Sequence, residues 1–239
     1  MKTKQLYLDD SYVKEADATV LEVLPESAGK WRMILDQTVF YPMGGGQPTD
    51  QGTLSTDAWK ADVYLVMNKD GEIWHYINAQ TPPAVDAKVH GVINWDRRFK
   101  NMRMHSAGHV IDFAMNVLGY SPSPLMPLKG DHGKKPFIVY QGTVGEDIRQ
   151  KLEDKSNELV GKDLKFSTLF QPFEDLHKEA IYLQPGLPTN KPLRTLRLET
   201  VGAVADGGTQ VHTTKEVGKI TITNVEAKEG NTVISYAIG

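Results

Sequence analysis

Short apolar runs separated by turn residues fill the chain from its N-terminus to Trp95, and this pattern limits the fold more than any other feature of the sequence. Asp70-Gly71 suits a hairpin turn that needs positive φ. Strands of this length and spacing are typical of a small antiparallel barrel or sandwich. We therefore predict a barrel-like β domain over residues 1–95, with strands at 19–24, 31–35, 58–67, 73–77 and 89–95.

The pattern changes at Asn94, where apolar residues begin to recur at helical spacing and continue to Val117. Asn94 or Asp96 can cap the start of this helix, and Gly119 can end it in a left-handed turn. Helices and strands then alternate to the end of the sequence. We predict an α+β domain over residues 96–239, with further helices at 146–160 and 174–180 and strands at 135–140, 192–198, 219–226 and 232–238.

Composition excludes several classes of protein. The chain has no cysteine, so disulfides, thiol nucleophiles and cysteine-based zinc sites are excluded. No stretch approaches the ~18 apolar residues of a membrane span, and the first residues lack the apolar region of a signal peptide. We therefore expect a cytoplasmic protein. The net charge of −3 excludes a broad basic surface, so any contact with nucleic acid must be local.

His105 and His109 form the first candidate site. Residues four apart share one face of a helix, so two imidazoles can converge on one zinc ion. The alternative is a pair of hydrogen-bonded polar residues without a metal. Position 106 is Ser, which excludes the H-E-x-x-H motif of zinc proteases. Gly108 between the histidines is unfavourable in a helix, and a small residue there is what close approach by another chain or by substrate would require.

Two further stretches contain candidate residues. Three consecutive glycines at 44–46 can expose backbone N–H groups to a ligand, although on the residues alone a flexible loop between strands is the favoured explanation. Asp206, Gln210 and His212 fall at alternate positions, so an extended segment would turn all three to one side. The alternative is a polar turn before the strand at 219–226.

These three stretches, in this order, resemble one known family. The segments VFYPMGGGQPTDQGTL, RRFKNMRMHSAGHVI and DGGTQVHTTKEVGKI are similar to motifs of the editing domain of alanyl-tRNA synthetase. They are most similar to its freestanding relatives, the AlaX trans-editing proteins, in their medium-sized form. The resemblance covers nearly the whole chain, and the combination of motifs is far more specific than any one of them.

The resemblance implies a zinc-dependent aminoacyl-tRNA deacylase that removes serine or glycine from mischarged tRNA(Ala). It implies a Zn²⁺ ion on His105 and His109, with a second ligand pair at positions 206 and 210. Asp206 stands where the family often has cysteine, and Gln210 stands where it usually has histidine. Asp206 can ligate through oxygen, whereas amide groups such as that of Gln210 are weak zinc ligands. His212 is offset from the family position and could serve only after a shift of register.

The resemblance also suggests roles around the metal. Ser106 and Thr209 are the expected polar groups for the serine hydroxyl, and helix or turn capping is the alternative for each. Gly44, Gly45, Gly46 and Gln47 would line the approach for substrate. A basic cluster stands at the start of the predicted helix and includes Arg97, Arg98, Lys100 and Arg103. Its charge predicts that Arg98 and Arg103 contact RNA, and a solvated helix face is the alternative. Two other functions stay open: a binding module of this fold that has lost its metal, and an unrelated zinc hydrolase acting on small esters or amides.

Overall fold

The computed structural model describes residues 3–239 and divides the chain into two compact units, Met1–Lys100 and Asn101–Gly239. The named sheets pair their strands antiparallel apart from one short parallel pair, and helices lie between the strands of the second unit, so the predicted α+β class is confirmed. Within the described residues, no helix combines the length and the apolar character that a membrane crossing demands.

The first unit is a closed antiparallel barrel with strand order β2-β3-β7-β6-β5-β8. The predicted barrel-like domain is therefore confirmed, and a short parallel pair, β1 with β4, accompanies it. A single turn of 3-10 helix, Leu6–Leu8, follows β1. The strands are β1 (Lys4–Gln5), β2 (Glu15–Ser27), β3 (Lys30–Leu35), β4 (Gln37–Thr38), β5 (Gly52–Ser55), β6 (Lys60–Lys69), β7 (Glu72–Asn78) and β8 (Lys88–Ile93).

Alternation of side chains explains why these segments close into a barrel. Inward-facing apolar residues such as Val20, Val63 and Val89 are buried, while their neighbours on the same strands are more exposed. Asp70 and Gly71 both have positive φ and make the predicted hairpin turn between β6 and β7. The barrel core is therefore built from residues two apart along each strand.

Helix α1 (Trp95–Val117) carries the chain from the first unit into the second. Asn94 caps it, since the backbone N–H of Arg97 donates to Asn94 Oδ1 at 3.0 Å. Gly119, with φ of +78°, follows its end as predicted. The strand expected to reach Trp95 instead ends at Ile93, because Asn94 already begins the helix cap.

The second unit contains two antiparallel sheets, and helices α1 to α4 lie before or between their strands along the sequence. The first sheet has the order β14-β15-β10-β9, and the second has the order β11-β12-β13. The elements after α1 are β9 (Met126–Asp131), β10 (Phe137–Gln141), α2 (Arg149–Gly161), β11 (Phe166–Gln171), α3 (Phe173–Glu179), β12 (Leu193–Leu198), β13 (Gly202–Ala205), α4 (Thr214–Val217), β14 (Ile220–Lys228) and β15 (Asn231–Ile238).

The sequence pattern missed β9, β11 and β13 in this unit and the short helix α4. Pro127 and Gly130 in β9 weaken a strand pattern, and β13 is a short run of small residues. These segments are strands because β10 and β12 supply hydrogen-bonding partners for them. Their conformation depends on pairing, which the local pattern does not contain.

Candidate metal centre

His105 and His109 lie one turn apart on α1, and both side chains are buried. Their ring centroids are 4.8 Å apart. The Nε2 atoms of both rings face one oxygen of Asp206, at 3.5 Å from His105 and 3.4 Å from His109. The ligand atoms of the three residues all lie within 4.8 Å of one another. Helical spacing thus presents two imidazoles, and the segment after β13 brings a carboxylate to them.

Hydrogen bonds fix the orientation of the Asp206 carboxylate. Its Oδ2 accepts from Gln210 Nε2 at 3.0 Å and from Arg194 Nη1 at 3.3 Å, while Oδ1 accepts from the backbone N–H of Gly208 at 3.1 Å. Burial favours the protonated form, but the interactions with His105, His109 and Arg194 outweigh it and hold the pKa of Asp206 well below its usual range. The residue is therefore an ionised carboxylate, with Oδ1 turned toward the histidines.

A second buried carboxylate lies behind His109. Asp112 Oδ2 is 3.8 Å from His109 Nδ1 and accepts a hydrogen bond from the Tyr182 hydroxyl at 3.1 Å, while Oδ1 accepts from the Tyr140 hydroxyl. Burial raises the pKa of Asp112. Burial alone would lower the pKa of His109, but its contact with Asp206 and the charges of both carboxylates raise it.

The donor set fits a divalent cation such as zinc. Both ring nitrogens of His109 are buried and have no hydrogen-bond partner within the described residues 3–239. A buried polar atom without a partner is unfavourable, and a bound cation would provide one. Burial also lowers the pKa of His105 to about 4, so its ring is neutral, as ligation requires. Two imidazoles and one carboxylate are established zinc ligands.

Gln210 and Ser106 hold this cluster together. Gln210 Oε1 accepts a hydrogen bond from the Ser106 hydroxyl at 2.6 Å, and its Nε2 lies 3.1 Å from His105 Nδ1 in addition to the contact with Asp206. The backbone N–H of Val211 donates to Ser106 Oγ at 3.1 Å. Both ends of the Gln210 amide are thus engaged with neighbouring protein groups, and the Ser106 hydroxyl joins α1 to the segment that contains Asp206.

In the segment between β13 and α4, Thr209 is buried and His212 is exposed. Thr209 is 0% exposed, and Ser106 is equally buried. Both hydroxyls therefore lie in the interior, and their contact with a serine hydroxyl stays a prediction. His212 is exposed and directly precedes the Thr213–Glu216 capping box of α4. The segment belongs to no strand, and Asp206 faces the histidines while His212 is exposed, so the two side chains do not share one environment.

His132 is a third histidine at this centre, and the sequence motifs did not single it out. Its ring centroid is 4.8 Å from that of His105, and its Nδ1 lies 2.6 Å from the Tyr236 hydroxyl oxygen. Burial, followed by the nearby histidines, lowers the pKa of His132 to about 2, so the ring is neutral. Its only signal in the sequence is its position in a polar Gly-Asp-His-Gly stretch.

The glycine motif forms a tight turn in the first unit. Gly44 and Gln47 exchange backbone hydrogen bonds of 3.2 and 2.9 Å, and Gly45 and Gly46 have positive φ. The N–H groups of Gly44 and Gln47 are therefore used within the turn and are not offered to a ligand. Gly44 and Gly45 are exposed, whereas Gln47 is fully buried.

Arg98 and Arg103, the residues expected to contact RNA, both bind protein groups in this structure. Arg98 is 0% exposed, and its guanidinium forms a buried ion pair with Asp50 in the first unit. Arg103 is half-buried and donates to the backbone carbonyls of Glu216 and Val217 at 2.9–3.2 Å. Both guanidinium groups are engaged with protein partners. Each therefore has a structural role and does not present a free charge to phosphate.

Comparison with known proteins connects the whole chain to one group. The family of "tRNA synthetases class II (A)" matches residues 10–97. The alanyl-tRNA editing protein AlaX-M of Saccharolobus solfataricus is 33% identical over 99% of both chains. The alanine–tRNA ligase of Halobacterium salinarum is 32% identical, and the chain spans 26% of that ligase. The AlaX-L editing protein of Pyrococcus horikoshii is 29% identical over 95% of this chain and 56% of its own length.

Proposed function

The chain belongs to the AlaX family of alanyl-tRNA editing proteins, and from that membership we propose that it hydrolyses mischarged tRNA(Ala), releasing serine or glycine. In this reaction the oxygen of water adds to the acyl carbon. The bond between that carbon and the ribose oxygen breaks, and a proton from the water passes to the ribose oxygen. The reaction needs no oxidant and no second substrate.

The convergence of His105, His109 and Asp206 carries this proposal, because it provides the donor set for one zinc ion. A zinc ion held there would supply Lewis acidity, which polarises a carbonyl group and lowers the pKa of water. Asp206 contributes a charged oxygen, and Arg194 and Gln210 occupy its other oxygen.

Asp112 supports the site from behind His109. Histidines that ligate a metal commonly have their second nitrogen next to a carboxylate, which fixes the orientation of the ring and raises its basicity. The 3.8 Å separation between Asp112 Oδ2 and His109 Nδ1 fits that role, and two tyrosine hydroxyls hold the carboxylate in place. The proposed metal donor His109 on α1 thus lies next to a carboxylate that buried hydrogen bonds hold in place.

Exposed lysines provide the proposed contact with RNA. Lys129 lies on β9, Lys134 and Lys135 lie in the connection to β10, and all three side chains are exposed. They surround His132 in the sequence, so positive charge lies next to a residue of the metal centre. Phosphate contacts of this kind set affinity and its dependence on salt and leave chemical selection to the pocket.

Zinc analysis together with a deacylation assay tests the proposal. We expect the purified protein to retain zinc and to release serine from Ser-tRNA(Ala), and we expect both properties to be lost in a His105→Ala/His109→Ala variant. Asp206→Ala should also lose zinc, whereas His212→Ala should keep zinc and activity. A wild-type protein that binds tRNA but releases no amino acid would support a binding module instead. Release of acyl groups from small esters but not from tRNA would indicate an unrelated hydrolase.

A further inference from the structure

We propose that His132 is the specificity-determining residue of this site and that its Nε2 accepts a hydrogen bond from the hydroxyl of a serine ester. The inference rests on the proposed editing function. It assigns the recognition of serine to a residue outside the three motifs, in place of the buried Ser106 and Thr209.

Hydrogen bonding fixes which nitrogen of His132 carries the proton. The Tyr236 hydroxyl donates its hydrogen to the backbone carbonyl of Met104 at 3.0 Å. The same oxygen lies 2.6 Å from His132 Nδ1. Because a hydroxyl has one hydrogen, this short contact requires Nδ1–H as the donor and the tyrosine oxygen as the acceptor. A neutral His132 then has an unprotonated Nε2, which can only accept a hydrogen bond.

Two glycines hold the ring of His132 in place. A Cβ atom at Gly108 would lie 2.5 Å from His132 Cε1, and a Cβ atom at Gly130 would lie 2.7 Å from its Nε2. Both distances are far below van der Waals contact, so only glycine permits the ring to occupy this position. The close approach that the sequence indicated at Gly108 is therefore made by His132, whose ring packs against that of His105.

His132 Nε2 is available to a ligand. Within residues 3–239, this atom has no hydrogen-bond partner, whereas Nδ1 is held by Tyr236. The residue keeps 7% of its surface exposed. The metal centre thus presents one oriented acceptor on a rigid ring, next to the histidine donors.

An acceptor of this kind distinguishes serine from alanine. The serine hydroxyl can donate to Nε2, while alanine and glycine have no side-chain donor. A site that hydrogen-bonds a hydroxyl rejects analogues without it, since the polar partner is then left unpaired. We expect His132 to raise the rate for serine esters and to leave the rates for alanine and glycine esters nearly unchanged.

Single-turnover deacylation of Ser-, Gly- and Ala-tRNA(Ala) by the zinc-loaded protein tests the inference. Loss of one neutral hydrogen bond corresponds to roughly 2–13-fold in rate. His132→Leu should therefore lower the serine rate by about that factor, without lowering the glycine or alanine rate. His132→Gln, which keeps an acceptor oxygen, should retain more of the serine preference. His177→Leu, at an exposed histidine on α3, is the matched control and should leave all three rates unchanged.

Tyr236→Phe provides a second test that keeps the His132 ring. It removes the acceptor of the Nδ1 proton, so the ring can carry its proton on either nitrogen. We expect part of the serine preference to be lost while the zinc content stays at the wild-type value. If His132→Leu does not fold, Tyr236→Phe tests the role of His132 in its place.

Failure of the inference and failure of the proposed function give different results. Equal wild-type rates for serine and alanine esters would reject the editing function itself. A wild-type serine preference that persists in a folded, zinc-containing His132→Leu protein would overturn only the role of His132. The same conclusion holds if the serine preference survives unchanged in Tyr236→Phe after His132→Leu has failed to fold.

Discussion

The buried ion pair between Arg98 and Asp50 gives a sharp test of the structure, because the basic cluster at residues 97–103 predicts an RNA contact for this arginine. Both side chains are 0% exposed. Arg98 Nε donates to Asp50 Oδ2 at 2.8 Å, and Nη2 contacts the same oxygen. That oxygen also accepts from the backbone N–H of Tyr41 at 2.7 Å. We propose Arg98→Met, which keeps a long side chain and removes the charge.

The expected loss of stability is large because Asp50 would remain charged in the interior of the first unit. Breaking a buried pair by removing one partner typically costs about 3–5 kcal/mol. Arg98 also donates to the carbonyl of Ser11 at 2.9 Å, and the loss of this bond adds to the effect. Asp50→Asn removes the charge but keeps an acceptor for Tyr41. The double variant Arg98→Met/Asp50→Asn should therefore be more stable than Arg98→Met alone.

Urea unfolding of Arg98→Met, Asp50→Asn and the double variant measures their free energies of unfolding. Arg32→Met is the matched control in the same barrel, since the Arg32–Glu26 pair is partly exposed and its separation is 3.6 Å. A pair of this kind is worth at most about 1 kcal/mol. Affinity for tRNA should be unchanged in Arg98→Met under conditions where the variant is folded. A cost below about 1 kcal/mol together with weaker tRNA binding would refute the structural role and restore the original expectation.

Three further effects follow from buried groups. Burial lowers the pKa of His75 to about 4, so below pH 6.5 the unfolded chain binds a proton that the folded chain does not. The free energy of unfolding should therefore fall by up to about 3 kcal/mol between pH 6.5 and 4. In His75→Gln, the midpoint of urea unfolding should depend less on pH than in the wild type. Asp112→Asn should weaken zinc binding about 10–100-fold in a chelator competition. Gly108→Ala should destabilise by about 1–3 kcal/mol through its clash with His132, whereas Gly161→Ala, with open space around it, should be neutral or stabilising in thermal unfolding.

Local patterns were sufficient to predict the barrel and the histidine pair. Alternation along β2 and β6 specifies which residues face the barrel interior, and the spacing of His105 and His109 places them on one face of α1. Neither inference needs knowledge of a distant residue. The helix cap at Asn94 is equally local, because its side chain bonds a backbone N–H three residues ahead.

Distant partners explain what the sequence did not reveal. Arg98 lies in a basic cluster that is typical of a solvated or RNA-binding face, and only Asp50, far back in the chain, makes it a buried residue. His132 reaches His105 because β9 packs beside β10, and β9 itself was not recognised. The positions of both side chains depend on tertiary contacts, whereas spacing along the chain contains no information about them.

The substitutions at positions 206 and 210 are best understood as one unit. Gln210 bonds both Asp206 and Ser106, so it could become a metal ligand only by breaking contacts that hold the carboxylate in place. Asp206 in turn keeps one oxygen toward the histidines because Arg194 and Gln210 occupy the other. Within the described residues, His105, His109 and Asp206 are therefore the group of donors that could hold a metal ion. Structural zinc sites are closed by four protein ligands, whereas catalytic sites have three and leave one position for water or substrate. If zinc binds here, glutamine at position 210, where the resemblance to the family implies histidine, fits an open catalytic site better than a closed structural one.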